Sequence, residues 1–112
     1  MLTTRATTAA GALATMLAAA PALADILDTP DCRRDLTAAN ALINRIAARE
    51  QQFVAGDLAK NCVLLRQNLV DMVKARAPMD RCMTGHDHSE NLGQMDDSIG
   101  DIRAVLADKC VK

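Results

Sequence analysis

The stretch "TPDCRRDLTAANALINRIAAREQQFVAGD", Thr29 to Asp57, decides the fold. It opens on Thr29-Pro30-Asp31: a hydroxyl that can cap a helix, a proline suited to the first helical position, and an acid in the first turn. Cys32, Leu36, Ala39, Ile43, Ile46, Glu50 and Phe53 then recur at alternating spacings of four and three. That spacing places them on one face of a helix, and Glu50 is its only charged member. Gly56-Asp57 ends the run and offers Asp57 as the next cap.

The same period continues downstream. Leu58, Cys62, Leu65, Leu69, Met72 and Arg76 form a second stripe, which Pro78 is expected to stop because proline breaks the hydrogen-bond ladder and restricts Ala77. Leu92, Met95, Ile99, Ile102 and Leu106 form a third, with Cys110 at its end. No run alternates as a half-buried strand would. The expected fold is all-α, an up-down-up three-helix bundle with helices at about 30–55, 58–77 and 88–110.

Upstream, "MLTTRATTAAGALATMLAAAPALA" carries one charge, Arg5, before an apolar run that closes on Ala22-Leu23-Ala24. The first acid is Asp25. This is the layout of a secretory signal peptide, residues 1–24, cut after Ala24. Its apolar part is too short for a membrane span, and no cysteine follows the cut to carry a lipid anchor. The expected mature protein is a single helical domain, residues 25–112, periplasmic or secreted, with no membrane anchor. Of 13 Lys and Arg, Arg5 leaves with the leader; the remaining 12 face 14 Asp and Glu, a net charge of −2. That balance does not call for nucleic acid as a partner.

Four cysteines lie in the mature part. An even count in a short exported chain reads as two disulfides. With no Trp, no Tyr and one Phe, a core of Leu, Ile, Val, Met and Ala also needs covalent support. The bundle selects the pairing. Cys32 and Cys82 fall at one end, Cys62 and Cys110 at the other. Joining Cys32 to Cys62 would span roughly 25 Å along the axis, and Cys82 to Cys110 roughly 30–35 Å. A disulfide needs Cα atoms within about 7 Å. Only Cys32–Cys82 with Cys62–Cys110 fits. No C-x-x-C is present, so the cysteines read as structural rather than redox-active.

The segment "CMTGHDHSENLGQMDD", Cys82 to Asp97, contains both histidines. Thr84-Gly85 is turn chemistry. Asp87-His88-Ser89-Glu90 has the form of a capping box, with Asp87 as cap and Glu90 three residues on, which leaves His86 and His88 in the loop. Glu90, Asp97, Asp101 and Asp108 then make a solvated acidic face. The alternative is a metal site, with Met79, Met83, His86 and His88 as soft or borderline ligands for copper. A calcium loop starting at Asp87 fails, because Leu92 stands where glycine is required and Ser98 where glutamate is. No phosphate-binding glycine loop and no G-x-S-x-G occurs. The expected function is therefore non-enzymatic and cofactor-free: a small exported protein that binds another macromolecule, its protein partner unidentified, or protects the envelope under stress. The alternative is a periplasmic copper-binding protein.

Overall fold

The computed structural model describes residues 26–110; the expected leader and its cleavage site lie outside the described residues. Three helices run up-down-up: α1 (Pro30–Glu50), α2 (Leu58–Cys82) and α3 (Gly85–Lys109). The disulfides are Cys32–Cys82 and Cys62–Cys110, with Cα separations of 5.4 and 5.8 Å, one at each end of the bundle. Among the described residues, no helix is long and apolar enough to cross a membrane.

α1 begins where its punctuation places it. Thr29 is extended, and its Oγ1 accepts from the Cys32 N–H at 3.1 Å. The helix ends at Glu50, short of the expected 55, because Asn61 takes both backbone groups of Val54. Its Nδ2 donates to the Val54 carbonyl at 2.8 Å, and its Oδ1 accepts from the Val54 N–H at 3.0 Å. In a continued helix that N–H would have bonded to the Glu50 carbonyl. Gly56 turns the chain at φ +85°, and Asp57 caps α2 through the Lys60 N–H.

The larger correction is at the other end of α2. Pro78 does not stop the helix, which runs on to Cys82. A proline inside a helix costs about 3 kcal/mol, so something must hold the last turn. Met79 and Cys82 are buried, and Cys82 is bonded to α1. The Met83 N–H reaches the Met79 carbonyl, and the Leu27 N–H satisfies the Cys82 carbonyl at 2.8 Å. Ile26 and Met83 add a one-pair antiparallel bridge. Only Met83 and Thr84 then link α2 to α3, with Gly85 at φ +64° making the reversal.

α2 is the central element. α1 and α3 each pack on it, but no Cα of α1 comes within 8 Å of one in α3. The three meet through side chains in one layer, where Ile46, Met72 and Ile99 are buried with Leu69, Met95 and Ile102 against them. A central helix must bury two faces. Cys62, Leu65, Leu69, Met72 and Arg76 point to α3, as the Cys62–Cys110 bond and the Arg76–Asp96 pair require. Leu64, Asn68, Asp71, Ala75 and Cys82 point to α1, as the Cys32–Cys82 bond and the Asp71 contacts require. Two members of the expected stripes fall outside the core: Glu50 is exposed, and Leu58, at the start of α2, is 54% exposed.

Candidate functional site

The segment from Met79 to Glu90 is helix, two-residue link and helix. The N-cap of α3 is Thr84, three residues before the expected Asp87. Asp87 is therefore the third helical residue, and Glu90 lies in the second turn, so the expected Asp87–Glu90 box does not form. Thr84 makes no side-chain cap bond, and its carbonyl accepts from the His88 N–H at 3.2 Å. Thr84-x-x-Asp87 has the same spacing as the box expected three residues later, so the capping pattern was present in the sequence at a different register.

The early start settles where the histidines go. Two residues apart on a helix are about 200° apart around it. His86 and His88 thus face opposite sides instead of converging from a loop. His86 Nε2 lies 2.7 Å from Glu90 Oε2, one turn on. His88 reaches back across the link: its Nε2 lies 3.1 Å from the Asp80 carbonyl oxygen and 3.0 Å from Asp80 Oδ1. Both neighbours accept, so this nitrogen carries the proton and donates. Met79 is buried in the bundle and Met83 sits in the bridge to Ile26. The four residues of the alternative copper set therefore have four separate surroundings. Among the described residues, no group of three or more His, Cys, Asp or Glu side chains is placed to hold a metal ion.

The polar cluster that does form lies elsewhere, between α1 and α2. Asp71 is buried at 4% exposure and Asn68 at 1%. Arg49 donates to Asp71 Oδ2 at 2.6 Å and to Asn68 Oδ1 at 3.2 Å, and Arg45 donates to Asp71 Oδ1 at 3.2 Å. Burial pushes the Asp71 carboxyl up, but the hydrogen bond and charge of Arg49, joined by Arg45, outweigh it and hold the group below its ordinary value. The cluster pins α1 to α2 in one register. Among the described residues no buried side-chain nitrogen or oxygen lacks a partner, so the cluster reads as a clasp rather than a reactive centre. A signal for it existed: Leu64, Asn68, Asp71 and Ala75 follow four-and-three spacing as faithfully as the apolar stripe. Reading only the apolar residues passes over it.

Two depressions open to solvent flank α2. One, of about 480 Å³, is lined by Leu58, Ala59, Cys62, Arg66, Lys109 and Cys110 beside the lower disulfide. The other, of about 300 Å³, is lined by Arg49, Arg66, Gln67, Val70 and Asp71. Between them runs a third, exposed face of α2, from whose margins Arg66 reaches the Cys110 carbonyl and Arg81 reaches Asp35. Val63, Val70 and Val73 stand on it, exposed by 51, 51 and 44%. Compared with protein-family models, curated proteins and solved structures, the chain matches none of them.

Proposed function

We propose that this chain is a small exported protein, periplasmic or secreted, that is not an enzyme and acts by binding another macromolecule or by protecting the envelope under stress. The observation that carries this reading is the pair of disulfides joining helices at both ends of the bundle. Such bonds persist in oxidising compartments and are rare where thiols are kept reduced. The signal-like residues 1–24 point the same way. The binding role is supported by the exposed valines of α2, which lie on a rigid helix rather than in a cleft.

The test is fractionation of cells making the full chain with a C-terminal tag. The expected product lies outside the cytoplasm, begins at Asp25 and has no free thiol. Retention in the cytoplasm with residues 1–24 attached and four reactive thiols would overturn export. For the binding role, a photocrosslinker at Val70 is expected to trap one defined macromolecule in the native envelope. Copper co-purifying at one ion per chain, and lost in His86→Ala and His88→Ala, would replace this reading with the metal-binding one.

A further inference from the structure

The outer face of α2 combines two features that the bundle itself leaves unused. Ala59, Val63, Val70, Val73 and Ala77 follow a seam spaced by multiples of a heptad's four and three, all exposed. Lys60, Arg66, Gln67, Lys74 and Arg81 share that face; Arg81 is paired with Asp35 of α1, and the carboxylate at its end, Asp80, with Arg76 and His88. Among the described residues, Lys60, Arg66 and Lys74 form no ion pair with a carboxylate; Arg66 donates instead to the Cys110 carbonyl at 2.7 Å. Valine is a mediocre residue for an exposed helix, since its branched side chain restricts χ1. Nothing inside the chain accounts for three of them here.

The outer face of α3 is its counterpart. Glu90, Asp97, Asp101 and Asp108 lie there with Gly93, Gly100 and Ala104, all exposed; Arg103 borders the small residues on the side away from Asp101. Asp97 and Asp101 have no cation partner among the described residues. A Cβ added to Gly93 or Gly100 would meet nothing within 4 Å, and neither has a positive φ. Each glycine weakens an exposed helix relative to alanine, with no return inside the chain. Both helices have 25 residues, so the two faces match in length.

We infer that a second copy of this chain docks on the outer face of α2, presenting the outer face of its own α3. The valines then lie over the flat stretch made by Gly93, Gly100 and Ala104, where backbones can approach closely, and the unpaired lysines meet Asp97 and Asp101. Like charge disfavours α2 against α2 and α3 against α3. The contact is therefore head-to-tail, and copies assemble into a ring or an open row. An anionic lipid surface would match the cations of α2 but would leave the glycines and free carboxylates of α3 without a role. The inference does not rest on export. It is a property of the folded, disulfide-bonded chain, and its failure leaves the proposed function standing.

The test uses sedimentation velocity on the processed chain with both disulfides formed, over a range of protein concentrations at low and high salt. The parent is expected to self-associate, more weakly at high salt. The variants Lys60→Glu/Lys74→Glu and Asp97→Lys/Asp101→Lys should each associate about tenfold or more weakly, a loss of at least about 1.4 kcal/mol. Mixed in equal amounts, the two should associate again, because the unchanged faces are complementary to each other and so are the two reversed faces. That rescue also shows that both variants are folded. Gly93→Leu/Gly100→Leu should block association without a change of charge. A parent that stays monomeric at every concentration overturns the inference, as does undiminished association in both charge variants. So does a monomeric parent that binds phosphatidylglycerol vesicles and loses them in Lys60→Glu/Lys74→Glu.

Discussion

The two sides of α2 are built differently. Toward α3 the contact is apolar: Leu69 and Met72 pack with Met95, Ile99 and Ile102, and the polar pairs across it, Arg76 with Asp96 and Asp80 with His88, lie at the rim. Toward α1 the same helix presents a buried carboxylate and a buried amide, and α1 answers with two arginines. The apolar side gains stability from area removed from water, at about 25 cal/mol per Å² and with little demand on angle. The polar side gains little net stability, since desolvating ions offsets most of their attraction, but it is unforgiving of misalignment. One contact supplies adhesion and the other supplies register.

Deleting the disulfides one at a time should break this comparison most severely. Their sequence separations are 50 and 48 residues, so the chain-entropy model assigns each about 4 kcal/mol. With the entropic parts equal, any difference between Cys32→Ala/Cys82→Ala and Cys62→Ala/Cys110→Ala reports on the two contacts themselves. Urea unfolding is expected to show the larger loss for the pair that ties α1, whose polar contact depends on fixed geometry.

Next in size are the central residues of each contact. Met72→Ala should cost about 2–4 kcal/mol by leaving a cavity among Ile46, Ile99 and their neighbours. Asp71→Ala should cost about 2–3 kcal/mol by leaving Arg49, itself half-buried, without its counter-charge. What separates the mechanisms is the double change Asp71→Leu/Arg49→Met, which should recover most of the loss because a well-packed apolar pair replaces a desolvated ionic one. A double variant no more stable than Asp71→Ala would show that the clasp contributes adhesion after all.

Acid should act on both sides through carboxylates. Asp71 and Asp96 are each held below the ordinary value, Asp96 by its hydrogen bond and charge pairing with Arg76. The unfolded chain takes up these protons first, near pH 4. The stability they contribute is thus complete above that pH and lost as pH falls through the lower folded values. Urea midpoints measured from neutral pH downward should fall along an acid limb that is shallower in Asp71→Asn and in Asp96→Asn.

Smaller effects test the outer surface and the helix starts. Gly100→Ala should raise the stability of the dissociated chain by up to about 1 kcal/mol, since the added methyl meets nothing and the helix gains propensity. Thr29→Ala should cost about 1 kcal/mol, because its hydroxyl accepts from the Cys32 N–H. Thr84→Ala should cost only a few tenths of that, as its side chain makes no such bond. Thermal unfolding of the three variants side by side is sufficient to rank them.

The same contrast explains what the sequence discloses. The α3 side of α2 is legible because apolar residues at four-and-three spacing announce burial, and the disulfide pairing follows once three antiparallel helices are placed. The α1 side is hidden, because Asn68 and Asp71 look solvent-facing until Arg45 and Arg49 are seen across from them. Pro78 misleads for a related reason: the groups that keep the last turn of α2 helical are the distant Cys32 and the Leu27 N–H. His86 and His88 look like a pair only in a loop, and the early start of α3 at Gly85 parts them. Local signals are reliable where the local chain decides, and they fail where a partner far along the sequence decides.

The order of the cysteines has a consequence for survival among proteases. The two bonds interlock along the chain, the second opening at Cys62 before the first has closed at Cys82. Cutting any one peptide bond between Cys32 and Cys110 therefore releases nothing. A cut before Cys62 leaves the pieces joined through Cys32–Cys82, a cut after Cys82 leaves them joined through Cys62–Cys110, and a cut between them leaves both. Two cuts in different intervals still leave one covalent molecule. Cuts in all three intervals are needed to part the cysteine-bearing pieces, and then they part into two linked halves. A nicked chain keeps its mass on a non-reducing gel and keeps its helices side by side, so damage to the backbone is not yet loss of the protein.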